Sequence, residues 1–258
     1  MTQPTDNIAL QSLLRDVLSD LRLDLNDRQI GQLAVHFSLL LHWNRKINLT
    51  SLRRPEEIAK RHFGESLFLA TLLSSSCVLD LASPPPEALL SLPRDEPIRS
   101  NGLLVDVGSG AGFPGLPLKI AWPSLRAVLL EPNNKKQAFL KEVVRRCGIE
   151  GVEIRAERLE EAARGDLRGP HVPACRDRVG WNLVGRASLV TVRAVAIAQD
   201  MVDDLKKLLT PGGQLALFLG AKDASALTKT PDLYWDSLIS IPHSERRVIL
   251  IGRVGGGS

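Results

Sequence analysis

Aromatic side chains are scarce in this chain. Phe, Trp and Tyr make up 4% of its 258 residues, with a single tyrosine. That argues against RNA-binding modules that stack bases on exposed rings. Cysteine is nearly as rare. Cys77, Cys147 and Cys175 are odd in number, far apart and without a CxxC pair. This usage fits a reduced compartment, and neither a disulfide framework nor a structural zinc site; no metal is expected. Long apolar runs are missing too. The most apolar early stretch, Leu33 to Trp43, is interrupted by His36 and His42 and is too short to cross a bilayer. Met1 to Asp6 holds no basic region followed by an apolar core. The expectation is a cytoplasmic protein with no membrane partner.

What is present is the composition of an ordinary soluble protein, 44% hydrophobic and 24% charged. The net charge of +4 is a weak signal, and its distribution says more. Arg45, Lys46, Arg53, Arg54, Lys60 and Arg61 outweigh Glu56 and Glu57 in one segment. Lys135, Lys136, Lys141, Arg145 and Arg146 outweigh Glu142 in another. Charge runs mostly form solvated faces, but two such clusters on one face would neutralise phosphates.

The chain divides into three parts. Residues 1–75 read as helical: leucines and valines recur at helical spacing from Asn7 to about Leu23. A second helix, capped by Asn26 or Asp27, runs to about Asn44, and a third follows Pro55, from Glu56 to Leu73. Residues 76–102, rich in Pro and Ser, read as a linker or insert with one short helix near Glu87 to Leu92. From 103 to 254 short apolar runs alternate with helical stretches. The runs are Leu103–Val107, Ala127–Leu130, Val152–Arg155, Leu189–Val192, Gln214–Leu219 and Arg247–Ile251. The clearest helices are Lys135–Arg146 and Gln199–Leu209. Such alternation implies an α/β fold of parallel βαβ units. Residues 165–182 read as a surface insertion.

The informative stretch is Leu103 to Gly115. A buried strand ends at Asp106, and Gly108, Gly110 and Gly112 follow on alternate positions before a helix start marked by Pro114 and Pro117. Glycines there let the backbone turn sharply and approach a ligand, and the helix start offers free N–H groups. A glycine loop after a first strand also occurs in nicotinamide-binding proteins. Asp106 at the strand end resembles the first motif of class I methyltransferases, where the acid orders the loop and the methionine end of the cofactor. Glu131, ending the second strand, stands where an acid accepts hydrogen bonds from both ribose hydroxyls in either cofactor class. Ala156-Glu157 follows the third strand, where methyltransferases contact adenine.

Several further blocks make the resemblance specific. Trp43-Asn44-Arg45-Lys46-Ile47-Asn48-Leu49-Thr50, Arg61-His62-Phe63-Gly64-Glu65-Ser66-Leu67, Asp106 to Pro117, Lys135-Lys136 with Phe139-Leu140, and Arg193-Ala194-Val195-Ala196 occur in this order. Together they resemble the ribosomal RNA small-subunit methyltransferase G family, also called glucose-inhibited division protein B. The resemblance implies a class I methyltransferase Rossmann-like sheet behind an N-terminal helical segment. It implies S-adenosyl-L-methionine as cofactor, held by Gly108, Phe113, Ala156, Glu157 and Arg193, with Asp106, Gly110 and Glu131 completing the set. It also implies N7 of a guanine in small-subunit (16S) ribosomal RNA as methyl acceptor, in naked RNA or in the assembled subunit. Departures are Glu65 where the family usually has Asp, Ser188 where an acid is usual, and Leu219 where a lysine is usual.

Guanine N7 offers an in-plane lone pair and loses no proton on methylation. No general base is needed, and no catalytic residue is assigned from the sequence. Rival readings are a methyltransferase of the same fold acting on a protein or small molecule, a nicotinamide oxidoreductase, and a non-catalytic RNA-binding module. Trp43, Asn44 and Asn48 also read as structural, and His62 as either a buried hydrogen-bonded residue or an RNA contact.

Overall fold

Strand β1 (Leu103–Val107) is buried at every position, as a central strand covered by helices on both faces must be. The computed structural model describes residues 4–74, 102–165, 182–193, 197–227, 233–236, 238–242, 244 and 246–255. Around β1 lie β2 (Arg126–Leu130), β3 (Val152–Arg155), β4 (Ala187–Arg193), β5 (Leu209–Gly220), β6 (Leu233–Trp235), β7 (Ile239–Ser240) and β8 (Arg247–Val254). The sheet order is β3-β2-β1-β4-β5-β8-β6, with β7 also paired to β8. β1 to β5 run parallel. β8 is antiparallel to β5, and β6 and β7 are antiparallel to β8. This is the class I methyltransferase arrangement. The Arg247–Ile251 run is therefore not another parallel unit as the alternation implied. β6 and β7, its partners besides β5, are only three and two residues long, which hid the reversal.

Strand order proceeds outward from β1 to β3 on one side and from β4 to β5 on the other. β1 and β4 are neighbours, so a topological switch point lies between them, and in such sheets ligands bind beyond the carboxyl ends of the strands at that point.

Helices α1 (Pro4–Asp20), α2 (Asp27–Trp43), α3 (Pro55–Ile58) and α4 (Glu65–Ser74) form the N-terminal segment; α3 and α4 are joined by a π-helical stretch, Ala59–Gly64. The long third helix expected from the sequence is thus continuous but changes hydrogen-bond spacing in its middle. α2 starts at Asn26, whose side chain accepts from the Gln29 N–H while Gln29 reaches back to the Asn26 N–H, a capping box. Its stripe of Ile30, Leu33, Ala34, Phe37 and Leu40 is buried. α5 (Gly115–Ala121), α6 (Asn134–Cys147), α7 (Leu159–Arg164), α8 (Gln199–Leu208) and α9 (Ala221–Leu227) are the other helices among the described residues. α6 begins at Asn133, which accepts from Lys135 and Lys136 N–H groups. It buries Phe139, Leu140, Val143 and Cys147 at helical spacing, leaving its basic residues outward.

One apolar cluster runs from Leu14, Leu33 and Phe37 through Phe63 to Phe113, Leu116 and Phe139. The N-terminal helices therefore pack directly on the glycine loop and on α5 and α6. Polar contacts reinforce this: Gln29 Nε2 donates to the Ile120 carbonyl at 2.8 Å, and Gln32 Nε2 to the Cys147 carbonyl at 2.9 Å. Cys147 is free and buried, and burial pushes its thiol up to about 12. Among the described residues no helix is long and apolar enough to cross a membrane. Cys77, Cys175, the short helix near 87–92 and residues 166–181 of the expected insertion lie outside the described residues.

Candidate functional site

Asp106 is the next-to-last residue of β1 and is enclosed by protein. Its Oδ1 accepts from Thr191 Oγ1 of β4 at 2.7 Å, and its Oδ2 accepts from the Gly115 N–H at the start of α5 at 3.3 Å. Burial raises its carboxyl to about 6, against the pull of the Thr191 hydrogen bond. The side chain ties the loop to the neighbouring strand and to the helix behind it. It faces neither the loop surface nor solvent.

The loop closes on itself at the carboxyl end of β1. Gly108 and Ser109 donate their N–H groups to the Leu130 carbonyl of β2, at 2.9 and 3.0 Å. Gly110 N–H donates to Glu131 Oε2, and Asn133 N–H to Glu131 Oε1, both at 2.8 Å. Glu131 is buried, and its carboxylate latches the β1 loop to the β2 loop. Two glycines there play different parts. A Cβ on Gly110 would meet nothing closer than 3.7 Å, so the protein leaves the space over this residue open. A Cβ on Gly112 would lie 2.5 Å from Leu116 Cδ1, so that glycine serves packing.

Phe113 is buried between two histidines. His36 of α2 and His62 of the π-helical stretch each stack on it at 4.8 Å between centroids, with planes 17° apart. His36 Nε2 donates to the Ala111 carbonyl at 2.9 Å, and His62 Nε2 lies 2.7 Å from Thr50 Oγ1. Burial lowers His36 to about 4; burial, aided by Arg193 and Arg61, lowers His62 to about 3. Both rings are therefore neutral at physiological pH. His62 proves to be a mostly enclosed, hydrogen-bonded residue that also borders the cleft described below.

Ala156 and Glu157 follow β3, with Ala156 exposed and Glu157 half-buried. Glu157 Oε2 is 3.9 Å from Arg155 Nη1, and the Arg155 carbonyl accepts from Glu131 N–H. The ends of β1, β2 and β3 thus form one continuous rim.

Arg193 ends β4, one residue beyond the pairing of Val107 with Val192. Its Nη2 donates to the Arg61 carbonyl at 2.6 Å and to Glu65 Oε2 at 2.9 Å. Glu65 Oε1 is ion-paired to Arg247 of β8. Burial pushes the Glu65 carboxyl up, while the guanidinium groups of Arg193, Arg247 and Arg61 oppose that. Burial lowers Arg193 to about 10. Its other amine, Nη1, is enclosed and has no hydrogen-bond partner among the described residues. Arg193 lines a cleft of about 610 Å³ bounded by the Leu49–Leu52 turn, the π-helical stretch, the ends of β4 and β5, and α9. Of the eight candidate residues read from the sequence, Arg193 alone borders this cleft. Gly108, Gly110 and Glu131 are brought together on the adjoining rim, with Ala156 and Glu157 beside them and Asp106 and Phe113 behind the loop.

Family comparison agrees with this architecture. A family model described as rRNA small subunit methyltransferase G matches residues 29–84 and 88–239. The chain belongs to this family. A ribosomal RNA small subunit methyltransferase G of Alkaliphilus metalliredigens is 35% identical over 59% of this chain and 54% of its own length. One from Halorhodospira halophila is 29% identical over 87% of this chain and 86% of its own length. The chain spans about half the length of the first of these relatives. Among solved structures, an S-adenosylmethionine-dependent methyltransferase from Aquifex aeolicus has a TM-score of 0.45 and 14% identity, over 70% of this chain and 98% of that one. A methyltransferase from Geobacter sulfurreducens has a TM-score of 0.45 and 16% identity, over 62% and 73%.

The family blocks find structural reasons. Asn44 is buried, and its Oδ1 accepts from the N–H groups of Leu49 and Thr50, shaping the turn that borders the cleft. Ser188, where the family usually has an acid, donates to the Leu103 carbonyl at 3.2 Å. Thr191, Arg247, His36 and the stacking of His36 and His62 on Phe113 were missed by sequence reasoning, while the buried, hydrogen-bonded reading of His62 was among those drawn from the sequence. The one signal for Thr191 is a hydroxyl inside an otherwise apolar strand. Among the described residues no group of three or more His, Cys, Asp or Glu is placed to hold a metal.

Proposed function

We propose that this chain transfers a methyl group from S-adenosyl-L-methionine to N7 of a guanine in small-subunit (16S) ribosomal RNA. The observation that carries the reading is the glycine loop at the switch point, open over Gly110 and latched by Glu131, beside a cleft wide enough for a base. The residues fit an adenosyl ligand. Gly110 leaves room for close approach, Glu131 retains lone pairs for a ribose diol, and exposed Ala156 offers a flat contact for adenine. Gly108, Phe113, Glu157, Arg193 and Asp106 complete the proposed cofactor set, Asp106 and Phe113 by holding the loop from behind.

When bound, S-adenosylmethionine supplies an electrophilic methyl on a sulfonium. The chain's own task is alignment, because N7 carries its lone pair in the plane of the ring and has no proton to remove. Asp106, His36 and His62 are engaged by the protein itself, through Thr191, the Ala111 carbonyl and Thr50, and the reaction asks none of them for a general base. The target guanine must leave its stack to reach the cleft. The exposed Arg53 and Arg54 beside the cleft, together with the basic face of α6, supply charge for the RNA backbone.

The test is transfer of labelled methyl to small ribosomal subunits, and to naked 16S RNA, from a strain lacking N7 methylation by an enzyme of this family. Label recovered as 7-methylguanosine is expected, and the better substrate identifies the acceptor form. Cofactor binding with no label in RNA would redirect the search to a protein or small-molecule acceptor.

A further inference from the structure

A cleft that accepts guanine must tell it from adenine while leaving N7 free, because N7 is the attacking atom. The remaining handles are O6, an acceptor, and the N1–H and exocyclic N2 amine, both donors. The base must therefore meet one donor and one acceptor of the protein. Two side chains bordering the cleft have these properties unsatisfied. Arg193 Nη1 is enclosed and has no acceptor among the described residues. Asp223, on α9, borders the same cleft, is exposed, and has no hydrogen-bond or ion-pair partner among the described residues. It lies close to Gly220 at the end of β5, where a Cβ would be 2.9 Å from Asp223 Oδ2.

The two lie on different parts of the wall. Arg193 is fixed by Glu65 and the Arg61 carbonyl, and it sits 5.8 Å above the Phe218 ring. Phe218 pairs with Arg193 across β4 and β5, and Gly220 with Arg247 across β5 and β8. The other cleft carboxylate, Glu65, is already engaged by Arg193 and Arg247. Among the described residues, Asp223 is therefore the carboxylate of the cleft left free for a ligand.

Resting on the proposed guanine N7 reaction, we infer that Asp223 is a specificity-determining residue. Its carboxylate accepts from guanine N1–H and N2–H, while Arg193 Nη1 donates to O6. Adenine presents an acceptor at N1 and a donor at its exocyclic amine, so both contacts would fail. A site built around such contacts rejects an analogue lacking them, because its own polar groups are then left unpaired. Inosine keeps O6 and N1–H and lacks only the N2 amine, which isolates the N2–H half of the Asp223 contact.

The experiment uses the full chain with small subunits reconstituted on 16S RNA carrying either guanine or inosine at the methylated position. For the wild-type chain, kcat/KM for inosine should fall about 10- to 100-fold below that for guanine, the range of one charge-assisted hydrogen bond. Asp223→Asn and Asp223→Ala should bring the two acceptors within about threefold of each other. Their affinity for S-adenosylmethionine and their melting temperature should stay unchanged, since Asp223 is exposed and is not one of the proposed cofactor residues. A wild-type guanine-to-inosine ratio retained in both variants overturns the assignment of Asp223. A wild-type chain that forms no 7-methylguanosine overturns the proposed function itself, and the inference with it.

Discussion

Gly110 and Gly112 are two residues apart and respond to a side chain in opposite ways. Both have positive φ, 55° and 86°. The value at Gly110 lies in the left-handed region that L residues enter at a cost of about 1–2 kcal/mol, and nothing crowds its Cβ. Gly110→Arg should therefore leave the fold nearly intact and abolish S-adenosylmethionine binding in calorimetry. Gly112→Ala drives a methyl into Leu116 and Leu140 and should cost about 1–3 kcal/mol in urea denaturation. A folded Gly110→Arg chain that still binds the cofactor would remove this loop from the site. Glu65 is a second residue-scale case. Glu65→Gln leaves Arg193 without its carboxylate in an enclosed position and should cost about 3 kcal/mol of stability. Glu65→Asp is too short to reach both Arg193 and Arg247, so methyl transfer should fall with a smaller loss of stability. Equal effects of the two changes on activity and stability would argue against a bridging role.

Among the elements, α2 carries two jobs at its first turn. Asn26 caps the helix, and Gln29 both completes the capping box and donates to the Ile120 and Ala121 carbonyls at the end of α5. Asn26→Ala should cost about 1 kcal/mol, the worth of a cap. Gln29→Ala should cost more, because it also leaves a buried α5 carbonyl without its donor. Urea midpoints of the two variants measure the difference, and equal losses would mean the link from α2 to α5 contributes nothing. The π-helical stretch matters at the same scale. It places His62 against Phe113 and the Arg61 carbonyl against Arg193, so one irregular turn serves both the glycine loop and the cleft. Nothing in Ala59–Gly64 announced the change of spacing, since π and α hydrogen bonding share the same side-chain preferences.

The molecule as a whole should lose stability in mild acid. His36 and His62 are lowered by burial to about 4 and about 3, while the unfolded chain returns them near 6.5. Between those values the unfolded state binds more protons, so the stability present above pH 6.5 is lost as pH falls. For His36 alone the loss is roughly 3 kcal/mol. Asp106 acts in the other direction. Burial raises it from 3.8 to about 6, so the folded state binds more protons in that interval and recovers part of the loss. The two histidines outweigh it. Urea midpoints should decline from pH 7 to pH 5, and His36→Phe should flatten the decline; a midpoint independent of pH would contradict the buried, neutral histidines.

The chain order of β1, its acid, its glycines and the β2 acid was legible because each is a local pattern: a buried run, a turn that needs no Cβ, a helix start. The capping box of α2 and the stripe of α6 were legible for the same reason. The roles within the pattern were not. Glu131 reads as a ribose ligand and also proves to be the latch between two loops, and Asp106 is shut away behind its loop by Thr191. Sequence by itself determined the family, the glycine loop and the alternation that builds a parallel sheet, all written in contiguous residues. Only the tertiary structure decided that β8 runs backwards, that two histidines enclose Phe113, and that Glu65 joins Arg193 to Arg247. Those contacts join residues far apart in the chain, and strand register and helix packing, which periodicity does not encode, bring them together.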